Sequence, residues 1–274
     1  MTKKHLFFYS LMLMLAVWSV LIEPRWVAKR EMNTKLPHTN LLGLKVVVTS
    51  DWHLTKKPFW RVMTTDRALN IIDDINAAKP DIVLIAGDLI AEENQQPVLA
   101  GIIEDEIAIV LGHLQATHGV YAVLGNHDNW YDHAKLKASL ENQGITVLEN
   151  EAQLVANTEL WVMGIGDQTT GHANIEHAVQ QLPVDSPALV VMHDPGSFAG
   201  MPTLNALFFA GHTHGGQVVL PWLGVLVVPY AAPKEWAYGW VQHHKNRMYV
   251  TSGLGVSILP VRFNMCPEWV LLNI

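Results

Sequence analysis

The chain has 274 residues, half of them hydrophobic, and a formal net charge of −7. That length accommodates one large α/β domain or two small ones, and the apolar content supports a sizeable core and excludes a disordered chain. The acidic balance, with no basic stripe, excludes a nucleic-acid binder working by phosphate neutralisation, and a single cysteine, Cys266, excludes an intrachain disulfide and a cysteine-based zinc site.

After Lys3, Lys4 and His5, residues Leu6 to Ile22 are uncharged and apolar, with Ser10 and Ser19 as the polar interruptions. As a helix rising about 1.5 Å per residue this stretch reaches roughly 25 Å, marginal for a hydrocarbon core but sufficient with Trp18 and Trp26 as interfacial anchors. The stretch runs on into Glu23-Pro24-Arg25-Trp26 rather than a small-residue cleavage site, which favours an uncleaved signal anchor over a cleaved peptide, and either over a buried core helix. Basic residues stand on both sides (Lys3 and Lys4; Arg25, Lys29 and Arg30), so charge leaves the orientation open. The organisation read from this is an anchor over 1–22, a polar linker over 23–42 containing Pro24 and Pro37, and one domain over 43–274.

From Leu44 the chain alternates apolar runs with helix-like segments. Leu44–Thr49, Ile82–Ala86 and Val120–Leu124 are β-rich and nearly continuous in apolar residues. Asp66–Ala78 has a helical period, carried by Ala68, Leu69, Ile71, Ile72 and Ile75 and stopped by Pro80. Further helices are predicted from Val98 to about Gln115 and from Asp132 to Asn142, the latter stopped by Gly144. This βαβαβ rhythm implies a sheet covered on both faces. The second half is richer in strands, at Leu160–Ile165, Ala188–Met192, Leu207–Ala210 and Trp269–Asn273. Trp236–Val241 and Met248–Thr251 read as a hairpin turning at Lys245-Asn246.

The informative polar residues fall where these runs end. Asp51, His53, Asp88, Asn126, His127, His193, His212 and His214 all lie just past the carboxyl end of an apolar strand, where ligands bind in open α/β sheets. The set contains nitrogen and oxygen donors and no sulfur, which suits Mn, Fe or Zn and argues against Cu(I) and iron–sulfur clusters. Singly, an Asp-x-His, a Gly-Asp or a lone histidine after a strand is most often a turn or cap. Gly211-His212-Thr213-His214-Gly215-Gly216 is more pointed, since alternate residues of an extended segment project together and flanking glycines permit close approach. The conjunction in this order is what argues for a metal site.

The order DxH, GD, GNHD, His, GHxH resembles the calcineurin-like metallophosphoesterases over Leu44 to Gln217. Gly211–Gln217 and Ser252-Gly253-Leu254-Gly255 look like its bacterial branch that often carries one N-terminal membrane or export segment. The resemblance implies an α/β/β/α sandwich of two mixed sheets. It also implies two divalent metal ions, one held by Asp51, His53 and His214, the other by Asn126, His193 and His212, with Asp88 bridging. A hydroxide shared by the metals would attack phosphorus in line, His127 would protonate the leaving oxygen, and Asp128 would orient or charge that imidazole, or else cap the following helix. The sequence departs from the branch at Trp52, where Leu is common. It departs again after Asp88, where Leu89-Ile90-Ala91 supplies no acidic residue before Glu92 and Glu93.

Asp167 follows another strand end and is read equally as a rim residue or a turn. His172, His177, His243 and His244 are read as surface residues. Val218–Pro233 is apolar, with Trp222, Leu223, Leu226 and Tyr230 among its residues. Its first reading is a core hairpin and its second a hydrophobic lip beside the site. With the anchor, a lip would suit a lipid-linked phosphate ester. The function expected is hydrolysis of a phosphodiester, pyrophosphate or phosphomonoester by a membrane-associated enzyme, with no nucleic-acid scaffold as partner and the oligomeric state open. Two alternatives stand beside it. A metal amidohydrolase on a TIM barrel would need eight strand–helix units, and a non-catalytic phosphate-binding module would predict loss of a ligand or of His127.

Overall fold

The structure is a computed structural model and describes residues 3–37, 43–56, 62–91, 101–229 and 232–274. Glu92, Glu93, Tyr230, the end of the expected linker (38–42) and the first turn of the helix expected from Val98 lie outside the described residues.

Helix α1 (Lys3–Val17) runs through a π turn (Trp18–Ile22) and a 3-10 turn (Glu23–Arg25) into β1 (Ala28–Asn33). There follow β2 (Lys45–Thr49), α2 (Thr65–Ala77), β3 (Ile82–Ala86), α3 (Glu104–Leu111), β4 (Val120–Val123), α4 (Asn126–Asn142) and β5 (Thr146–Val147). The second half comprises β6 (Glu151–Leu154), β7 (Trp161–Ile165), α5 (Ile175–Gln181), β8 (Ala188–Met192) and β9 (Ala206–Ala210). It continues with β10 (Val219–Leu220), β11 (Gly224–Val225), β12 (Gly239–His243), β13 (Asn246–Val250) and β14 (Glu268–Asn273). Two six-stranded sheets result, ordered β1-β14-β2-β3-β4-β5 and β12-β13-β9-β8-β7-β6. Both are mixed: β2, β3, β4 and β5 run parallel, as do β7, β8, β9 and β13, while β14, β6 and β12 each pair antiparallel with a neighbour.

Strand periodicity assigns the layers. Val46, Val48, Ile82, Leu84 and Val123 point into a central core shared with Val162, Leu189, Val191, Leu207 and Phe209 of the second sheet. Their neighbours Val47, Val83, Ile85 and Ala122 point the other way and pack under Ile72 and Ile75 of α2, Ile107 and Leu111 of α3 and Leu136 and Leu140 of α4. On the far face of the second sheet, Met163, Val190 and Phe208 pack with Ala178 of α5, Phe198 and Trp236. This is the expected α/β/β/α sandwich, with two sheets among the described residues in place of a closed barrel.

One expectation is corrected. The segment read as a linker contains β1, which pairs in parallel with β14 from Ala28↔Glu268 to Asn33↔Asn273. Its sequence, Ala-Lys-Arg-Glu-Met-Asn, is polar because it forms a sheet edge with mostly exposed side chains, so no apolar alternation marks it. α4 also begins earlier than its periodicity suggested. Its first turn starts at Asn126 and is separated by a kink at Asp132 (φ −165°, ψ 90°) from the stretch whose pattern is visible.

Candidate metal centre

Five strands deliver the site from their carboxyl ends. β2 leads into Asp51 and His53, β3 into Asp88, β4 into Asn126 and His127 on the first turn of α4, β8 into His193, and β9 into His212 and His214. The strand-end loops stay tied past the sheets. Asp51 N–H donates to Gly87 O (2.9 Å), His53 N–H to Asp88 O (3.0 Å) and Gly211 N–H to His193 O (3.0 Å). Asp51, His53, Asp88, His212 and His214 all have positive φ, between 45° and 69°. Left-handed backbone at non-glycine residues is costly and persists where surrounding structure enforces it. Glycines make room for the gathering: a Cβ on Gly125 would lie 2.2 Å from Asp88 Oδ1, and one on Gly211 only 1.7 Å from Ser50 Oγ.

The seven side chains converge on two adjoining clusters. In the first, His53 Nε2 faces His214 Nε2 at 3.1 Å, and His214 Nε2 lies 3.4 Å from Asp51 Oδ1. In the second, His193 Nε2 lies 3.1 Å from Asn126 Oδ1 and 3.1 Å from His212 Nδ1. Asp88 Oδ2 belongs to both, 3.5 Å from His53 Nε2 and 3.2 Å from His193 Nε2. All seven residues are buried.

The donor set fits divalent cations on three grounds. Spacings of this size separate neighbouring ligands around an ion held at about 2.0–2.2 Å. Supporting groups aim the ligands: the His193 Nδ1 contact with Ala86 O (2.7 Å) leaves Nε2 for the cluster, and Asp51 is fixed by Ser50 Oγ–H (2.6 Å) and His212 N–H (3.1 Å). The charge balance also calls for a cation. Burial, reinforced by the charge of Asp88 and opposed by His193, pushes the Asp51 carboxyl up to about 7. Burial likewise takes His212 down to about 4 and His214 well below its ordinary value, leaving both imidazoles as neutral donors. Asp88 and His193 go the opposite way. Burial disfavours charge on both, yet their mutual attraction holds Asp88 well below the usual carboxylate range and His193 well above the usual imidazole one. A proton on His193 there does what a metal cation would do better.

His127 stands beside this set. Its Nε2 is 3.9 Å from Asp88 Oδ2, its ring packs edge-on to His53 and tilts against Trp130, and its backbone N–H donates to Asp88 Oδ1 (3.0 Å). Asp128 gives its carboxylate to the backbone: Oδ2 accepts from Gly125 N–H (2.9 Å), and Oδ1 accepts from Leu89 (2.8 Å) and Ile90 (3.2 Å). These are the bonds of the capping role. Burial and the charge of Asp88 push this carboxyl also to about 7. Asp88, Asn126, His127, His212 and His214 line a cavity of about 590 Å³. Asp167 is a turn residue, accepting from Thr170 N–H and Oγ1–H (2.8 and 2.7 Å).

Sequence reasoning did not find Arg262, fully buried, whose guanidinium donates to Ser252 O and Gly255 O (both 2.7 Å) and lies 3.5 Å from His214 O. It ties the Ser252–Gly255 loop to the His214 turn, and a lone arginine between Val261 and Phe263 carries no signal of that. His172, read as a surface residue, stacks on His133, which forms an ion pair with Glu149 (2.8 Å). These three could also hold a cation.

Comparison with known proteins agrees with this geometry. The profile described as calcineurin-like phosphoesterase matches residues 44–223. The chain is 29% identical over 257 residues to the uncharacterized metallophosphoesterase YkuE of Bacillus subtilis, covering 90% of this chain and 85% of that one. It is 28% identical over 258 residues to the phosphodiesterase YaeI of Escherichia coli, covering 92% and 90%. To the UDP-2,3-diacylglucosamine pyrophosphatase LpxG of Chlamydia trachomatis it is 22% identical over 258 residues, covering 75% and 74%. With a matched profile spanning most of the chain and His/Asp clusters able to bind metal at the strand ends, the protein belongs to the calcineurin-like metallophosphoesterases, hydrolases of phosphoester bonds.

Proposed function

We propose that the protein hydrolyses a phosphodiester or pyrophosphate bond at a dinuclear centre of Mn, Fe or Zn, and that its substrate is lipid-linked. The observation that carries the dinuclear reading is the shared oxygen, Asp88 Oδ2, within 3.5 Å of a ring nitrogen in each cluster. Asp51, His53 and His214 would hold one cation and Asn126, His193 and His212 the other, with Asp88 between them. Bound there, the pair supplies a water-derived nucleophile at neutral pH and offsets charge on the phosphoryl oxygens. His127, on the cavity wall beside Asp88, donates a proton to the leaving oxygen, and Asp128 fixes the helix turn that presents it. The preference for a diester or pyrophosphate follows the similarity to the phosphodiesterase YaeI and the pyrophosphatase LpxG, and the lipid-linked substrate follows the diacylated substrate of LpxG.

We read Lys3–Arg25 as an uncleaved membrane anchor. It is 23 residues long and contains an 18-residue window with a mean hydropathy of 2.0 that is almost wholly unburied. Its end is built into the domain: buried Glu23 accepts from Met265 N–H (2.6 Å) and Trp18 Nε1–H (2.7 Å). Cleavage at the end of the apolar run would break the tie through Trp18.

The test is hydrolysis of bis-p-nitrophenyl phosphate by the full chain with Mn²⁺. Chelation should silence it, and Asp88→Asn should lower the rate at least about a thousandfold with loss of bound metal. An Asp88→Asn protein that keeps both its metal and its rate would sink the bridging assignment.

A further inference from the structure

The mouth of the cavity is rimmed by apolar side chains that the described residues leave uncovered. Trp222 is fully exposed at the tip of the β10–β11 hairpin, with Leu223 beside it at 73% exposure and Val227 further on at 72%. Across from them Ile258 is 74% and Leu259 55% exposed. Val227, Ile258 and Leu259 line the cavity itself, so the rim is continuous with the site. The two sides are stitched together. Ser257 N–H donates to Gln217 Oε1 (2.6 Å), Gln217 Nε2–H donates to Ser257 O (3.0 Å), and Val219 N–H donates to Phe263 O (2.9 Å).

The apolar N-terminal helix is fastened to this same stretch. Arg262 N–H donates to Ser19 O (2.9 Å), and Met265 N–H donates to the Glu23 carboxylate (2.6 Å). α1 buries none of its residues against the domain, so lipid is the medium that would solvate it. Its last turns leave Leu21 and Ile22 exposed, with Trp18 and Trp26 packed edge to face. Chain segments pinned to the last turns of a spanning helix lie at the bilayer surface, where tryptophan is the favoured residue. The rim's continuity with the anchor therefore identifies its occupant.

We infer that the rim formed by Trp222, Leu223, Leu226, Val227, Ile258 and Leu259 docks on the lipid bilayer, so that the cavity takes an amphiphilic phosphoester directly from the membrane. The polar phosphoester enters the His/Asp site while the apolar part of the substrate remains against the rim. This deepens, and rests on, the reading of the site as a phosphoesterase.

Full-length protein is reconstituted with Mn²⁺ into phosphatidylcholine vesicles. It is given two chromogenic diesters, water-soluble bis-p-nitrophenyl phosphate and vesicle-embedded hexadecyl p-nitrophenyl phosphate. Trp222→Ser/Leu223→Ser changes two side chains outside the cavity lining. It should cut hydrolysis of the embedded ester about tenfold or more and leave the soluble one within about twofold. Equal rates on the embedded ester for both proteins overturn the inference. Should the double variant misfold, Trp222→Phe supplies a second readout. Brominated lipid should quench the fluorescence difference between wild type and this variant, and an unquenched Trp222, as when a second copy or another protein covers it, overturns the inference. Failure of the wild type to cleave either ester while Trp222 is quenched instead removes the phosphoesterase reading and leaves the docking surface.

Discussion

Asp51, His53, Asp88, His212 and His214 hold their side chains on left-handed backbone, at an expected cost on the order of 1 kcal/mol each. The strain turns each carboxylate or imidazole back over the strand end, where successive residues of a regular strand would face opposite sides. Close backbone approach is the other condition. Gly125→Ala would drive a methyl into Asp88 Oδ1 and to within 2.8 Å of His193 Nε2. The expected result is loss of bound metal, read by elemental analysis, with activity falling about a hundredfold or more. His127 makes a different prediction, because its proposed work is proton transfer. His127→Ala should retain metal and lose about 10²- to 10⁴-fold on an alkyl leaving group, while p-nitrophenol, which needs little protonation, leaves at a rate far closer to wild type. Equal losses on both leaving groups would remove the acid assignment. These side chains were legible in the sequence because each follows an apolar run. Arg262 and Glu23 were not, since their importance comes from partners far along the chain.

Among the elements, the parallel strands were the most readable. Ile82–Ala86 and Ala188–Met192 are buried on both faces, so their apolar runs have few competing explanations. β1 was unreadable for the converse reason, since its residues are polar and its partner β14 is more than two hundred residues away. α4 was half legible: the stretch after Asp132 has a helical pattern, whereas Asn126-His127-Asp128 are polar and buried and look like a loop. Asp128 shows how that turn is made helical, as a carboxylate accepting from the cap residue three positions back. At the same helix, His133 contacts Asn129 Oδ1 (2.6 Å) through Nδ1 and pairs with Glu149 through Nε2. The hydrogen bond to Glu149 raises His133 above its ordinary 6.5, and the reciprocal bond lowers Glu149 below its ordinary 4.5. The histidine's contribution is complete below pH 6.5 and fades as pH rises through its raised value. The glutamate's is complete above pH 4.5 and fades as pH falls through its lowered value. Urea titrations of wild type and Glu149→Gln should therefore differ most between these two pH values, by about 1 kcal/mol or less for so accessible a pair. A difference that grows above pH 7 would contradict the ion pair.

At the scale of the whole molecule, the carboxyl ends of five strands from two sheets meet at the candidate metal site, so this rim of the sandwich is held together by buried His, Asp and Asn side chains of like and unlike charge. Cations bound at a hundred times their dissociation constant would add about 2.7 kcal/mol per site to folding. Chelation should then lower the melting temperature by about 5–10 °C, measured by differential scanning calorimetry, and Mn²⁺ should restore it. A melting curve indifferent to chelator would mean that the site folds without metal.

The passage from the last helical turn into the sheet is short, with only Trp26 and Val27 between Arg25 and Ala28 of β1. A flexible tether of twenty residues would let a domain roam about 25 Å; β1, zipped to β14 at once, gives no such radius. With the proposed anchor, the enzyme would work at one fixed height, and its supply of the proposed lipid-linked substrate would be counted in molecules per area of membrane. Its rate should follow the surface mole fraction of the ester and stay constant when vesicles of fixed composition are diluted in buffer.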